Sequence, residues 1–321
     1  MISVFMKRIP LLLFVLSFLT NPMTAQTVLH IVDSENQNPL PFASIVNYTQ
    51  HNVHFTDEHG ELSVSFSAGD SIKISYVGYK EQTIIFNAEQ KHIYKLEQDH
   101  ALLKPVMMVA CTDWQHMEYS SLDPEGEKEP FGGLMFFNGR IAVQRVAVMV
   151  RPPADEGKIN SISFWLRRNF GTSKETLKAP VRFSFYNIDD STKLPGKLIS
   201  DHDIIYHPRK EGRQKINIDS IHLNVQSGGF YICIEYGMDP QYEFPIRYVD
   251  TAKHIDSVAY GYGAGFEGTR SKDFTMAFYD YQHDCWWFSG HRKEFIDDKM
   301  HGTIKCSVQI SYCDENKKKK N

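Results

Sequence analysis

Leu62, Val64 and Phe66 alternate with Ser63, Ser65 and Ser67, and a few residues on Ile72, Ile74 and Tyr76 alternate with Ser71, Lys73 and Ser75. Successive side chains of a strand point to opposite faces, so a period of two specifies a sheet with one dry and one wet face. No helical period competes over residues 26–110. Shorter runs at 27–32, 42–47, 51–56, 83–86 and 92–96 bring the set to roughly seven strands, and short antiparallel strands of this kind close into a small sandwich. Asp57-Glu58-His59-Gly60 reads as a turn, with Asp bonding the backbone ahead of it and Gly supplying positive φ.

Four motifs occur in order in this stretch: Val32-Asp33, Pro39-Leu40-Pro41-Phe42-Ala43-Ser44, Thr56-Asp57-Glu58-His59-Gly60-Glu61-Leu62 and Ile74-Ser75-Tyr76-Val77-Gly78-Tyr79-Lys80. Together they resemble the carboxypeptidase-like regulatory domain. That resemblance implies a transthyretin-like β-sandwich, common in envelope proteins of Bacteroidetes and often placed ahead of the plug of TonB-dependent receptors. It also implies a structural or interaction module rather than a catalyst. Two departures stand out: Asp33 lacks the usual preceding Gly, and His54-Phe55 replaces a common Gly-Thr. The segment from Leu102 to Ala110 is similar to the apolar strand that often follows this module. Pro39 and Pro41 preset φ, and Gly78 is expected to kink the chain so that Tyr76 and Tyr79 pack on opposite faces. A metallocarboxypeptidase would need His-x-x-Glu and a distant second His. The single His-x-x-Glu, His291 to Glu294, lies too near the end of the sequence for a catalytic domain to follow.

Residues 111–130 are polar and charge-rich and read as an exposed connector, with Trp114 and Tyr119 available to dock on either side. Residues 131–315 return to strands: 141–150, 159–166, the alternation of Val181, Phe183 and Phe185, then 215–218, 230–236, 274–279 and 303–310. Turn clusters separate them at Asp189-Asp190-Ser191, Leu194-Pro195-Gly196, Gly228-Gly229 and Met238-Asp239-Pro240. The expected fold class is all-β: a transthyretin/Ig-like β-sandwich followed by a second, larger, jelly-roll-like β-sandwich. Residues 316–321 form a basic tail.

Residues 1–25 read as a signal peptide: Lys7-Arg8, an apolar run from Ile9 to Leu19, and a polar stretch ending near Ala25. The run falls short of the ~20 residues that span a bilayer. No Cys stands near the cut, so the expectation is an exported protein that is neither a lipoprotein nor membrane-spanning when mature, located in the periplasm or at the outer membrane. The whole chain has 35 basic and 39 acidic residues, a formal charge of −4. That balance argues against nucleic acid, whose binding needs clustered Lys and Arg. The five cysteines, Cys111, Cys233, Cys285, Cys306 and Cys313, are too few for a disulfide framework and read as buried small hydrophobes.

Several constellations deserve weighing as sites. His51, His54 and His59 crowd the first module, but strand positions three apart face opposite ways, so surface histidines are expected. His283, Asp284, Cys285 and His291, with His301 and Cys306 nearby, form the densest chemical cluster, without zinc-finger spacing and with a Cys–His pair available as a nucleophile. Asn187, Asp189, Asp190 and Asp201 offer oxygens, but no calcium loop is spelled out, and a solvated hairpin is expected. Tyr260, Tyr262 and Phe266 lie in a glycine-rich stretch where aromatic rings on a loop would stack on sugars. Trp286 and Trp287 are expected on opposite faces of a strand. Lys317 to Lys320 read as a solvated tail. The resulting expectation is a non-catalytic envelope binding protein, with no catalytic residues, metal or cofactor, whose ligand contacts come from Tyr260, Tyr262, Trp286 and Trp287. Its partner would be an envelope protein or a polysaccharide. A second reading is a glycan-binding or glycan-active accessory protein, and a third places a small metal-dependent enzyme in the His283 to His301 region.

Overall fold

The computed structural model describes residues 27–88, 91–99, 114–121, 144–152, 157–168, 174–200, 202–224, 228–236, 238–250, 255–262, 265–271, 275–281, 283–288 and 301–313. The stretch read as a signal peptide (1–25), the segment 101–110, Cys111, Asp201, His291 and residues 316–321 lie outside them. The fold is all-β, as its alternating residues require. Among the described residues no helix is long and apolar enough to cross a membrane.

The first module contains β1 (Thr27–Asp33), β2 (Ser44–Asn47), β3 (Asn52–Phe55), β4 (Glu61–Val64), β5 (Ser71–Ser75), β6 (Gln82–Ile85) and β7 (Ile93–Leu96). They form a three-stranded sheet, β4-β1-β7, facing a four-stranded sheet, β3-β2-β5-β6. Leu29, Ile31, Ile45, Ile72, Ile74 and Phe86, all nearly or wholly buried, fill the space between them. The sandwich is not purely antiparallel: β1 pairs with β7 in parallel, Ile31 opposite Tyr94. Alternation reports which face of a strand is dry and carries no information on partner direction.

The second module begins earlier than its composition indicates. β8 (Trp114–Ser120) lies inside the stretch read as a connector and pairs along its full length with β23 (Cys306–Cys313). Its apolar Met117 and Tyr119 lean on the core between charged neighbours, a short alternation masked by the charge around it. Between them in sequence come β9 (Gln144–Val150), β10 (Lys158–Arg167), β11 (Val181–Ile188), β12 (Pro195–Leu198), β13 (Ile204–Tyr206), β14 (Gly212–Asn217) and β15 (Phe230–Tyr236). These are followed by β16 (Glu243–Asp250), β17 (Ile255–Tyr262), β18 (Gly265–Phe266), β19 (Gly268–Ser271), β20 (Met276–Asp280), β21 (Cys285–Phe288) and β22 (His301–Ile304). One sheet runs β14-β10-β23-β8, and the other runs β12-β11-β15-β9-β20-β21. Val146, Val148, Phe183, Phe185, Ile232 and Ile234 of the second sheet meet Ile162, Phe164, Val308 and Ile310 of the first in one core. The opposite face of β11, β15, β9 and β20 carries Arg182, Glu235, Arg145 and Tyr279, because each stands one residue away from a core position. Part of this outward face docks on the first module.

That junction is apolar at its centre. Phe42, Val46 and Phe55 of the first module bury themselves against Met238 and Tyr281 of the second, with Tyr48, Val53, Ile205 and Tyr279 around them. Val46 and Phe55 are the residues of β2 and β3 that turn away from the first core, so β2 is dry on both faces.

Candidate functional site

The motif residues of the first module are wired to one another. Asp33 is buried, and its carboxylate accepts the amides of Glu35 (2.7 Å) and Asn36 (3.1 Å), the Tyr79 hydroxyl (2.7 Å) and the Gln98 amide (3.0 Å). Led by the Tyr79 hydroxyl, these donors outweigh burial and hold Asp33 down at about 2. Thr56 Oγ1 donates to Leu40 O and accepts from Ala43 N, both at 2.8 Å, tying the proline motif to the turn after it. Asp57 Oδ1 accepts the amides of His59 and Glu61, and Gly60 sits at φ +73° where a Cβ would meet Ile31 O at 2.8 Å. Tyr76 and Tyr79 do not separate across the sheet as expected. Gly78, at φ +81°, closes a turn in which Tyr79 N donates to Tyr76 O, and the two rings meet edge to face at 5.4 Å.

The most heavily charged buried cluster is one that sequence reading missed. Arg182 (1% exposed) and Glu235 (2% exposed) lie opposite each other on β11 and β15. Arg182 Nη1 donates to Glu235 Oε2 at 2.8 Å, and Arg145 Nε donates to Oε1 at 3.0 Å. Tyr281 Oη donates to the same Oε1. Arg182 Nε stands 2.8 Å from Asp203 Oδ2, and Arg182 Nη2 donates to the carbonyls of Pro41 (3.2 Å) and Phe42 (2.6 Å) in the first module. The Tyr76 ring lies 5.3 Å from the Arg182 guanidinium, and Arg145 lies over Tyr279 (4.7 Å) and Tyr281 (5.1 Å). Burial pushes the Glu235 carboxyl up, yet the two guanidiniums prevail and hold it below its ordinary range. Asp203 moves the other way, because burial exceeds the attraction of Arg182. The charges balance two against two, and each oxygen of Glu235 is engaged by a donor of this cluster. Such a group fastens surfaces together. The only signal in the sequence was a charge on the strand face opposite the core residues, at Arg182 between Val181 and Phe183.

The described members of the anticipated chemical cluster, His283, Asp284, Cys285 and Cys306, do not gather into one metal-binding group. His283 Nδ1 is 2.7 Å from Asp280 Oδ2 on an exposed turn. Asp284, at φ +52°, binds Lys73 Nζ of the first module at 2.6 Å and accepts the Tyr279 hydroxyl. Cys285 is free and exposed. Cys306 is buried in the core, its thiol pushed up to about 12 by burial, as is that of Cys233. His301 falls in β22, its side chain outside the described residues. Among the described residues no group of three or more His, Cys, Asp or Glu side chains gathers for a metal ion. In the first module, His51 precedes β3 at φ +55°, and His54 packs edge-on to Phe66 with its imidazole pushed toward the neutral form by burial. Asp189 caps the β11–β12 turn by accepting from Ser191 and Thr192, the solvated hairpin that was expected.

Trp286 and Trp287 do face opposite ways. Trp287 stacks on Phe278 in the core at 5.0 Å. Trp286 stays on the outward face, edge to face with Tyr279 (5.1 Å) and Tyr186 (6.1 Å) and beside Phe288. Tyr260 and Tyr262 are not on a loop. They belong to the β16–β17 ladder, opposite Pro245 and Glu243, where eight consecutive pairs overrode the glycine signal. Their side chains lie outside the described residues. Of the expected contact set, Trp286 is the member that the structure places, half-buried, on the outward face, where Tyr186 and Phe288, which were not expected, stand beside it.

Arg182→Met leaves Glu235 short of a donor and two carbonyls of the first module unpaired. It is expected to lower unfolding free energy by about 3–5 kcal/mol in urea titration. Because Asp33 is depressed in the folded state, its contribution is complete above its unfolded value of about 4 and is lost as pH falls toward 2. The stability gap between wild type and Asp33→Asn, followed by urea midpoints, is therefore expected to close over that interval and to be flat above it.

Among solved structures, a clostridial cysteine protease, Cwp84, after propeptide cleavage, is similar at 9% identity, over 90% of this chain and 71% of its own, with a TM-score of 0.30. No curated protein matches. Residues 30–108 match the family model of the CarboxypepD_reg-like domain. With the motif residues wired as described, the first sandwich of this chain is a CarboxypepD_reg-like domain.

Proposed function

We propose that this chain is an exported, non-catalytic accessory protein of the cell envelope that acts by binding a partner protein. One observation carries the reading: the motif residues of the regulatory-type domain, Asp33, Thr56, Asp57, Gly60 and Tyr79, are spent on turns and packing. The signal-like N-terminus and the near-neutral, slightly acidic charge support export and a partner other than nucleic acid. The buried Arg145–Glu235–Arg182 cluster supports the same view, since its groups hold one another and the two modules. A second reading has its own observation: Trp286, Tyr186 and Phe288 form a half-buried aromatic group on the outward sheet face, and aromatic rings can stack on sugars.

Mild crosslinking in cells followed by purification tests the first reading. A defined envelope protein is expected to accompany the wild-type chain and to fall by about tenfold with Trp286→Ala, the loss of one well-packed aromatic contact. A hydrolytic activity that travels with the protein and disappears in Cys285→Ala or His283→Ala would overturn it. The glycan reading is checked against a polysaccharide panel. Retention that Trp286→Ala abolishes is the expected result, and no retention on any member removes that reading.

A further inference from the structure

Non-glycine residues at positive φ are uncommon, and a bulky one is an outlier that its surroundings must hold in place. Two such residues sit at the junction, one on each side. Phe42 of the first module has φ +57°, and Asp284 of the second has φ +52°. Each is held by a cation from the opposite module. Arg182 of the second module donates to the Phe42 carbonyl at 2.6 Å. Lys73 of the first module, itself only 5% exposed, lies 2.6 Å from Asp284 Oδ1, with Glu81 of its own module at 3.5 Å. Asp284 ends the turn between β20 and β21, directly before Cys285 and Trp286. Its carboxylate also takes the Tyr279 hydroxyl, and Tyr279 is the cross-strand partner of Trp286, with ring centroids 5.1 Å apart. Arg145, fixed by Glu235, lies over Tyr279 itself and over the adjacent Tyr281.

We propose that the junction is a reciprocal latch through which docking of the first module sets the posture of the β20–β21 hairpin and of Trp286. Lys73 is the positioning residue: it holds Asp284 in its left-handed conformation, Asp284 orients Tyr279, and Tyr279 fixes the Trp286 ring. The regulatory-type domain thus controls the aromatic group from the neighbouring part of the same outward sheet face, through Asp284 and Tyr279. This deepens the proposed function and rests on it only for the claim that Trp286 meets a ligand.

The latch is tested on the full chain without any ligand. The Trp286 emission is obtained as the difference between each protein and its Trp286→Phe counterpart, and the Trp287 emission in the same way. In Lys73→Met, acrylamide quenching of the Trp286 component is expected to rise about twofold, and amide exchange over residues 283–286 to quicken about tenfold, as for a local opening. The Trp287 component and the amides of β9 and β15 are expected to stay as in wild type, and Lys73→Arg is expected to restore the wild-type signals. An unchanged Trp286 component in folded Lys73→Met overturns the latch. So does a change shared equally by Trp287 and the core strands, which would be general loosening. If Lys73→Met fails to fold, Asp284→Asn decides, because Asn tolerates the left-handed backbone and removes only the charge. A smaller rise at Trp286 alone is then expected, and no rise overturns the latch. A latch that holds while Trp286→Ala leaves partner and polysaccharide binding untouched would discard the ligand reading and leave the coupling in place.

Discussion

Glu235 is a carboxylate at 2% exposure with two guanidiniums and a phenol hydroxyl aimed at it. An ion buried to that degree is tolerable only with near-complete pairing, and this requirement reaches well beyond one side chain. It fixes the register of β15 between β9 and β11, since Arg145, Glu235 and Arg182 must stand in one row across the sheet. It also fixes where the first module sits, since Arg182 has donor capacity left over and directs it to the Pro41 and Phe42 carbonyls. Replacing such a cluster by apolar residues would often cost nothing in stability. What it supplies is geometry: an apolar junction of Phe42, Val46, Phe55, Met238 and Tyr281 would slide without directional bonds at its edge.

The regulatory-type domain therefore functions in this chain as a wall of the second sandwich. Its two faces have divided tasks. The side of β2 that carries Ile45 closes its own core, and the side that carries Val46 closes the junction. Phe42 of the proline motif packs into the junction, and its carbonyl and that of Pro41 are the ones Arg182 binds.

The strands of the first module were legible because alternation at 62–67 and 71–76 and the short runs around them are local signals, although β2 and the middle of β5 are buried on both faces. The motif from Thr56 to Leu62 was legible for a similar reason, as turn chemistry is local. The opposite placement of Trp286 and Trp287 followed from adjacency alone. Misreadings arose where pairing decided the outcome. β8 looked like a connector until β23 paired with it, and β17 looked like a glycine loop until β16 did. Tyr76 and Tyr79 were placed on opposite faces of a kink at Gly78, whereas Gly78 closes a turn that brings their rings together.

The amino-acid sequence by itself determined that this protein is built of strands, which residues of the first module face its core, and which family that module resembles. Each of these depends on neighbours within a few positions of one another. Only the tertiary structure decided that Arg182, Glu235, Arg145 and Asp203 meet, that Lys73 reaches Asp284, and that the two modules close over one apolar junction. The physical reason is that a charge on the outward face of a strand reads identically whether water or another module covers it, and what covers it is set by chain segments far away in sequence.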